Sequence, residues 1–402
     1  MVGLNEWLKS IKERASRAIN KQAAYGPDID VVELSSRGMA AAAGVELKRV
    51  EEVGIDLERA ERAAFFMQLD DAIIKVQSRL PGVEMRPLHE FIDNDFEEAR
   101  EYVWRVVSPD ADKYTAVAAL RGTGGYFVRV KPGVKVEDPI QTCFYMAGKI
   151  IQAPHNVIVL EKGAEATVIT GCTIMPEVAG LHAGITEVYV KEGARLNYVM
   201  VHAWNKVAHV RPRSAVRLYG NAEVVSYYMN LSSVRTLQMY PKYYVVGSGG
   251  KVYSASIVLG RGDSILDVGA EVVLESDGVA DVISRFIVRD KAKAWARAKI
   301  TGNAGRGHIE CKGLILSQQA ELYSVPELGG IGAGAMLTHE ASIGKVAEEE
   351  IVYLMSKGFT REEAEEIVVR GFMNVEIRGV TPKIKAYISN ILKLMSKRSL
   401  SG

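Results

Sequence analysis

The sequence predicts a mainly β fold in which a solenoid of stacked coils is flanked by helical segments at both ends. Three observations lead to this class. Short runs rich in Val, Ile and Tyr fill residues 115–335, and a turn motif recurs within them at a nearly constant spacing. Helical periodicity marks the chain on either side of this region.

The recurring motif consists of a polar turn, a small residue and then alternating apolar positions. Its five copies are LEKGAEATVITG at 160, VKEGARLNYVMV at 190, LYGNAEVVSYYM at 218, VGSGGKVYSASI at 246 and LESDGVADVISRF at 274. Their starts differ by 30, 28, 28 and 28 residues. A fixed period of this size is typical of stacked repeats, because each unit buries its apolar face only against its neighbours. A large antiparallel sandwich with accidental regularity is the alternative.

The segment before the solenoid is predicted to be an N-terminal helical domain, residues 1–105. Apolar residues at helical spacing form a stripe between charged positions in the stretch 57–74. These residues are Leu57, Ala60, Ala64, Met67, Leu69, Ile73 and Ile74. The predicted β-helix core then spans 106–338.

A C-terminal helical domain is predicted for residues 339–402. Residues 348–357 form its first helix, and Thr360 with Glu363 makes a capping box that begins a second helix. Pro382 starts a third helix. The apolar face of this third helix consists of Ile384, Ile388, Ile391, Leu392 and Met395. Such an appendage either caps the open end of a solenoid or carries a docking face.

Charge and cysteine content limit the classes of partner. The 402 residues carry 50 Lys+Arg against 49 Asp+Glu, a net charge of +1 that argues against a general nucleic-acid binder. The chain lacks a run of about 20 apolar residues that could span a bilayer. Three cysteines without C-x-x-C spacing suit a reducing compartment. We therefore expect a cytoplasmic protein that binds neither nucleic acid nor membrane.

The sequence lacks the motifs typical of several classes of enzyme. The sequence contains no Walker A motif, no G-x-S-x-G and no H-E-x-x-H. A β-helix enzyme acting on polysaccharide stays a less favoured alternative, because the acidic residues lie mostly in turns and do not form the carboxylate cluster that such an enzyme needs.

A few polar residues in apolar surroundings remain as site candidates. Cys172, Cys311, His202 and Trp204 could each be core residues, and we interpret Cys143 as core. The pair His339–Glu340 could simply cap the following helix. Cys311, His339 and Glu340 nevertheless offer thiolate, imidazole and carboxylate, which are suitable iron ligands. One cysteine cannot hold an iron–sulfur cluster alone, so such a site would be transient or completed by a second chain.

The chain resembles the SufB/SufD family of iron–sulfur cluster assembly scaffolds over roughly residues 105–375. The resemblance rests on PDADKYTAVAALRGTGGYFVRVKPGVKVEDPIQ, TGCTIMPEVAGLHAGITEVYV and GHIECKGLILS. Its most specific part is HEASIGKVAEEEIVYLMSKGFTREEAEEIVVRGF, which begins at residue 339. The family implies a right-handed parallel β-helix.

SufB members carry a cysteine in an early strand, a tryptophan in the next coil, a cysteine before the last coil and H-E-A-T at the C-terminal seam. Cys172, Trp204, Cys311 and His339–Glu340 fall on these positions, so the sequence resembles SufB more than SufD. A glutamine and a lysine of the family's sulfur path are replaced here by His202 and Arg213.

The resemblance also implies a mechanism and partners. A cysteine desulfurase or a sulfur carrier would deliver persulfide sulfur to Cys172, from which sulfur would pass through the β-helix to Cys311. Iron would be held by Cys311, His339 and Glu340 at the interface with a second SufB/SufD-like chain, as a homodimer or heterodimer. The ABC-type ATPase SufC would dock on the C-terminal helices. A transient iron–sulfur cluster is the expected cofactor; a reduced flavin is associated with the family, but the sequence shows no flavin motif. The alternative is a SufD-like structural subunit without a sulfur-handling cysteine.

Overall fold

The computed structural model describes residues 2–31, 45–55, 57, 62–122, 124–148 and 151–400. The protein is mainly β, with 45% of its residues in strands and 23% in helices, as predicted. Within the described part of the chain, no helix is long and apolar enough to cross a membrane.

In the described residues the helices are α1 (Val2–Ala18), α2 (Leu47–Glu52), α3 (Leu88–Asn94), α4 (Phe96–Tyr102), α5 (Lys113–Arg121), α6 (Glu348–Ser356), α7 (Arg361–Met373) and α8 (Pro382–Leu400). The first strands are β1 (Ala64–Leu69), β2 (Ala72–Ser78), β3 (Val83–Pro87), β4 (Tyr126–Val130), β5 (Ile140–Met146), β6 (Ile151–Gln152), β7 (His155–Leu160), β8 (Glu165–Ile174), β9 (Leu181–His182) and β10 (Ile185–Val190). The later strands are β11 (Arg195–Ala203), β12 (His209–Val210), β13 (Arg213–Leu218), β14 (Glu223–Asn230), β15 (Thr236–Met239), β16 (Lys242–Val245), β17 (Gly250–Gly260), β18 (Ile265–Leu274), β19 (Gly278–Val288), β20 (Lys293–Ile315) and β21 (Glu321–Lys345).

Strands of successive coils pair in parallel at a constant register. Arg195 in β11 pairs with Glu165 in β8 on one side and with Glu223 in β14 on the other, so a coil takes 30 or 28 residues. The result is a parallel β-solenoid of about eight turns. The predicted repeat is thereby confirmed, and the antiparallel sandwich is excluded.

The small residue of the repeat has a packing role at the turn. Ala194 and Ala222 are fully buried there, and Gly250 and Gly278 take the same place in later coils. A Cβ atom on Gly250 would lie 2.7 Å from Val245 Cγ1, which is closer than packed carbon atoms approach. The turn therefore tolerates only a small side chain in each coil.

Alternation along the strands divides the apolar residues between two sides of the coil wall. One side forms a continuous interior core in which equivalent residues stack from coil to coil, such as Ala166, Leu196, Val224, Val252 and Ala280. The other side is covered by helices. The interior core and the outer helical layer are therefore distinct environments for side chains.

The C-terminal helices form as predicted and pack on the outer wall. The Thr360–Glu363 capping box is confirmed at the start of α7. The apolar face of α8, including Ile384 and Ile388, is buried against wall residues such as Tyr227. In contrast, α6 and the turn after it leave four apolar side chains exposed: Val352, Tyr353, Met355 and Phe359. The apolar face of α8 is therefore buried within the molecule, whereas apolar side chains of α6 are exposed to solvent.

Two expectations about secondary structure are wrong. The stretch 57–74, predicted to be helical, includes β1 and the start of β2. These two strands form a hairpin, and β1 also pairs in parallel with β5. The first five residues of β1 are all buried, with Phe65 on the outer side of the wall and Phe66 in the interior, so its apolar run has no usable period. At the other end, β21 extends to Lys345, which places His339 and Glu340 in a strand and not in the helical segment. The positions 58–61 of the predicted stripe lie outside the described residues, and the division into three domains stays a prediction.

One buried carboxylate holds the N-terminal segment to the solenoid. Glu187 in β10 is fully buried and accepts hydrogen bonds from the backbone N–H groups of residues 104–107, at 2.5 to 3.1 Å. Its Oε2 atom also lies 2.7 Å from His155 Nε2. The turn after α4 is therefore fixed to the coil wall by one side chain.

Candidate functional site

Cys172 faces the solenoid interior, where it is 2% exposed. Its neighbours in the adjacent coils are Phe144 of β5 and His202 of β11. The His202 ring lies 5.2 Å from the Trp204 ring, and His202 Nδ1 is 3.0 Å from the Tyr228 hydroxyl. The structure therefore brings together three of the four residues predicted for sulfur handling.

The fourth residue, Arg213, lies elsewhere, and its predicted place on an interior path is wrong. Alternation turns its neighbour Ser214 inward, toward an internal cavity, and Arg213 outward. On the outer side the Arg213 guanidinium lies under α5, where Nε is 2.7 Å from Asp112 Oδ2 and Nη2 is 2.6 Å from Gln238 Oε1. Arg213 therefore fixes the start of α5 to the coil wall through Asp112.

Burial controls protonation around Cys172. It raises the pKa of the Cys172 thiol well above its usual value. It also lowers the pKa of His202 far below the usual value and that of His182, a neighbouring interior residue, to about 3. At neutral pH the thiol is protonated and both imidazoles are neutral. Thiolate is the reactive form, so Cys172 needs a change of environment before it can react.

A row of polar side chains leads from this region to Cys311. Tyr228, Ser256, Ser284 and Cys311 are paired in register on β14, β17, β19 and β20. An internal cavity of about 30 Å³ lies beside the row, and its lining includes the hydroxyl groups of Tyr228, Tyr243, Ser226, Ser254 and Ser256. This space is enough for about one water-sized molecule.

Cys311 is buried at the interior face of β20, near the open end of the solenoid. Burial raises the pKa of its thiol, while the nearby Ser284 and Ser324 hydroxyl groups and the charge of Arg285 act in the opposite direction. His339 in β21 pairs with Ile309, so it lies on the same face as Cys311, and it is exposed.

Glu340 does not join these two residues, contrary to expectation. It pairs with Glu310 and lies on the outer face, because consecutive residues of a strand point to opposite sides. On that face Glu340 lies close to His308 and Glu310. One potential ligand atom from each of the three residues lies within 4.8 Å of the others. Sequence analysis missed His308 and Glu310 as site residues. Their H-x-E spacing, one coil before Glu340, is the signal that could have identified them.

Cys143 lies on the outer side of the wall, under the helical layer. It is fully buried, as predicted, and burial raises the pKa of its thiol to about 12. The coil wall therefore separates Cys143 from the interior row.

Comparisons with known proteins agree on one family. Residues 144–372 match the family model described as "SUF system FeS cluster assembly, SufBD core domain". An iron–sulfur cluster assembly SufBD family protein of Methanothermobacter thermautotrophicus is 36% identical over 408 aligned residues, covering 97% of this chain and 99% of the relative.

Two further relatives carry the same family description. The protein of Archaeoglobus fulgidus is 37% identical over 360 residues, covering 89% of this chain and 96% of its own length. That of Staphylococcus epidermidis is 28% identical over 310 residues, covering 75% of this chain and 66% of its own. The comparisons give no support for a flavin. The family model matches more than half of the chain, and the relative from Methanothermobacter thermautotrophicus matches it almost end to end. The chain therefore belongs to the SufBD family of iron–sulfur cluster assembly proteins.

Proposed function

We propose that this chain acts as a SufB-like scaffold that accepts sulfur at Cys172 and assembles a transient iron–sulfur cluster at Cys311. The observation that carries the proposal is that both cysteines face one enclosed interior core and are connected by a row of hydroxyl groups. Sulfur would be delivered as persulfide by a cysteine desulfurase or a sulfur carrier.

The separation of the two cysteines explains why a route between them matters. Five inter-strand steps lead from β8 to the part of β20 that carries Cys311. At about 4.8 Å a step, this corresponds to about 24 Å. The thiols are therefore too far apart to exchange sulfur directly. The Tyr228–Ser256–Ser284 row supplies polar groups along an otherwise apolar interior.

Iron would bind Cys311 and His339, which share the interior face at the open end of the solenoid. Two ligands do not complete a cluster site, so the proposal includes a second SufB/SufD-like chain at this end. The exposed apolar residues of β21 support this interface: Leu328, Ile331, Met336 and Ile343. An exposed final strand that is partly apolar is the kind of surface a second chain covers.

A SufC-type ATPase would dock on α6. The four exposed apolar side chains on α6 and the following turn form a patch that α7 and α8 leave uncovered. In contrast, the apolar face of α8 is already occupied by the coil wall. We therefore assign SufC docking to α6 and not to the C-terminal helices in general.

Anaerobic reconstitution tests this function. The purified chain, with its SufC partner, ferrous iron, a desulfurase with cysteine and dithiothreitol as the reductant that converts persulfide sulfur to sulfide, is expected to develop cluster absorption. Cys311→Ser should abolish the absorption, whereas Cys143→Ser should retain it, because Cys143 lies outside the interior row. Equal cluster content in wild type and Cys311→Ser would contradict the role of Cys311.

The SufD-like structural subunit remains the second candidate. The observation that favours it is the protonated, buried state of Cys172, which has no neighbouring cation among the causes of its pKa shift. In that case Cys172→Ser and Cys311→Ser would both leave cluster formation unchanged when a separate SufB chain is supplied. A strict requirement for both thiols in the chain alone would exclude it.

A further inference from the structure

The outer face of the last two coils carries a group of potential metal ligands that is separate from Cys311. His308 and Glu310 project from β20 and Glu340 from β21, with one potential ligand atom from each residue lying within 4.8 Å of the others. Ligand atoms around one first-row metal ion lie at comparable separations, because each is about 2.0–2.2 Å from the metal. The group therefore has the size of a coordination site.

The parallel register places these side chains together. Glu310 pairs directly with Glu340, and His308 pairs with Thr338. The Thr338 hydroxyl oxygen lies 2.9 Å from His308 Nδ1, which leaves Nε2 as the nitrogen available to a ligand. A second hydrogen-bonded group that orients the imidazole is a regular feature of histidines that bind metals.

A cation already occupies the space between the two carboxylates. Lys312 Nζ is 3.3 Å from a Glu310 oxygen and 3.6 Å from a Glu340 oxygen. Arg285 forms a further ion pair with Glu310. Both carboxylates thus lie around positively charged side chains.

Lys312 is the cation that can leave. Its side chain is 32% exposed and ends a flexible four-carbon stem, whereas the Arg285 side chain is 10% exposed. Withdrawal of Lys312 into water would leave two carboxylates and one imidazole around the space it vacated, with Arg285 still paired to Glu310.

We propose that His308, Glu310 and Glu340 form a binding site for a divalent transition-metal ion, which enters by displacing Lys312. One nitrogen and two carboxylate oxygens suit Fe²⁺, Mn²⁺, Co²⁺ or Zn²⁺. Identifying Fe²⁺ as the natural ion rests on the proposed function. Because Glu310 and Cys311 are consecutive but face opposite sides of β20, the site would hold iron on the outer face, directly behind the thiol.

Titration of the purified full-length chain with Co²⁺ under anaerobic conditions tests the proposal. Co²⁺ is a suitable probe because its visible absorption distinguishes nitrogen and oxygen ligands from thiolate. Wild type is expected to develop d–d bands without a thiolate charge-transfer band. His308→Ala and Glu340→Gln should each weaken Co²⁺ binding by about tenfold or more, since each removes one coordinating group. Lys312→Ala should tighten it by about tenfold, because the competing cation is gone.

The controls separate this site from its surroundings. Glu327→Gln removes a carboxylate from the same strand that pairs with Lys299, and it should leave Co²⁺ binding unchanged. Cys311→Ser removes any thiolate-linked Co²⁺ and should leave the d–d bands of the outer site unchanged. Circular dichroism and thermal unfolding establish that each variant is folded. The proposal is overturned if neither wild type nor Lys312→Ala binds Co²⁺, if His308→Ala binds it normally, or if binding depends on Cys311.

The outcome can be distinguished from that of the proposed function. Cluster formation, measured on the same protein samples, depends on Cys311, whereas Co²⁺ binding depends on the outer group. Cluster assembly without a cobalt site would contradict only the metal site. A cobalt site in a chain that forms no cluster would contradict only the scaffold function.

Discussion

The reactivity of Cys311 depends on a few neighbouring groups. Its burial in the solenoid favours the neutral thiol, while Ser284, Ser324 and Arg285 stabilise the thiolate. Ser284 pairs with Cys311 in the adjacent strand and is itself buried, and its hydroxyl group has no hydrogen-bond partner among the described residues, so it is available to the sulfur. Cys172 has no comparable set of stabilising groups. Of these two interior thiols, Cys311 is therefore the one whose surroundings oppose ionisation less.

Removing the Ser284 hydroxyl should make Cys311 less acidic. In Ser284→Ala the pKa of the thiol rises, because a nearby hydroxyl donor that can favour the charged form is lost. Alkylation of Cys311 by iodoacetamide at pH 8 should slow by about threefold, and the midpoint of its pH–rate profile should move upward. Peptide mass spectrometry separates Cys311 from the other two thiols. Ser264→Ala, at another buried serine, is the matched control; an identical profile for wild type and Ser284→Ala would contradict this assignment.

At the scale of elements, Glu187 joins the N-terminal segment to the coil wall. Its carboxylate accepts from four consecutive backbone N–H groups and contacts His155, all at a fully buried position. An ionised carboxylate with several donors is stable in such a place, whereas donors left without an acceptor are costly. The segment between α4 and α5 therefore depends on a residue that lies far from it in sequence.

Glu187→Ala should destabilise the protein strongly. Four backbone donors lose their acceptor, so the free energy of unfolding is expected to fall by about 3–5 kcal/mol. Urea unfolding followed by circular dichroism measures the change. Glu192→Ala, which removes an exposed carboxylate paired with Lys162, should cost less than about 0.5 kcal/mol. Similar losses in the two variants would show that the buried hydrogen bonds contribute little.

An element can be predicted from the sequence when the residues that specify it are close together in the chain. The turn and its small residue repeat within each coil, so the solenoid could be predicted, as could α7 from its capping box. The strand β1 is buried on both faces and its apolar run carries no period, so the pairing with β5 could not be recognised. Site residues follow the same rule. Cys172 and Cys311 stand out singly, but the separation of Glu340 from His339 depends on the side of the strand that each faces.

At the scale of the whole molecule, the solenoid interior is an apolar medium that keeps its titratable groups neutral. Besides the thiols, it contains His182 and His202, whose rings lie 6.5 Å apart beside Trp204. His182 Nδ1 is 2.9 Å from Gln152 Oε1, so this nitrogen donates its proton to the amide carbonyl. The stacked coils thus bury two imidazoles whose hydrogen-bond partners in the described part of the chain are an amide, Gln152, and a phenol, Tyr228, and not carboxylates.

The stability of the protein should consequently fall as the pH is lowered from 7 to 5. The folded-state pKa values of His182 and His202 are depressed, to about 3 for His182, whereas both are near 6.5 in the unfolded chain. Between these limits the unfolded chain binds protons that the folded chain does not, so the free energy of unfolding rises with pH. From pH 7 to pH 5 the loss is about 2 kcal/mol for His182, and His202 contributes a further loss in the same direction.

Urea unfolding at several pH values checks this expectation. Carboxylates elsewhere also titrate toward pH 5, so the informative quantity is the difference between wild type and the double variant His182→Gln/His202→Gln. The variant is expected to be less stable at pH 7, because it loses interior packing, but its stability should decline less between pH 7 and pH 5. Single variants should each remove part of the excess slope, since each imidazole contributes its own proton. If wild type and the double variant show parallel pH dependences, the two imidazoles are protonated in the folded state, and the interior must then admit water or a counter-charge.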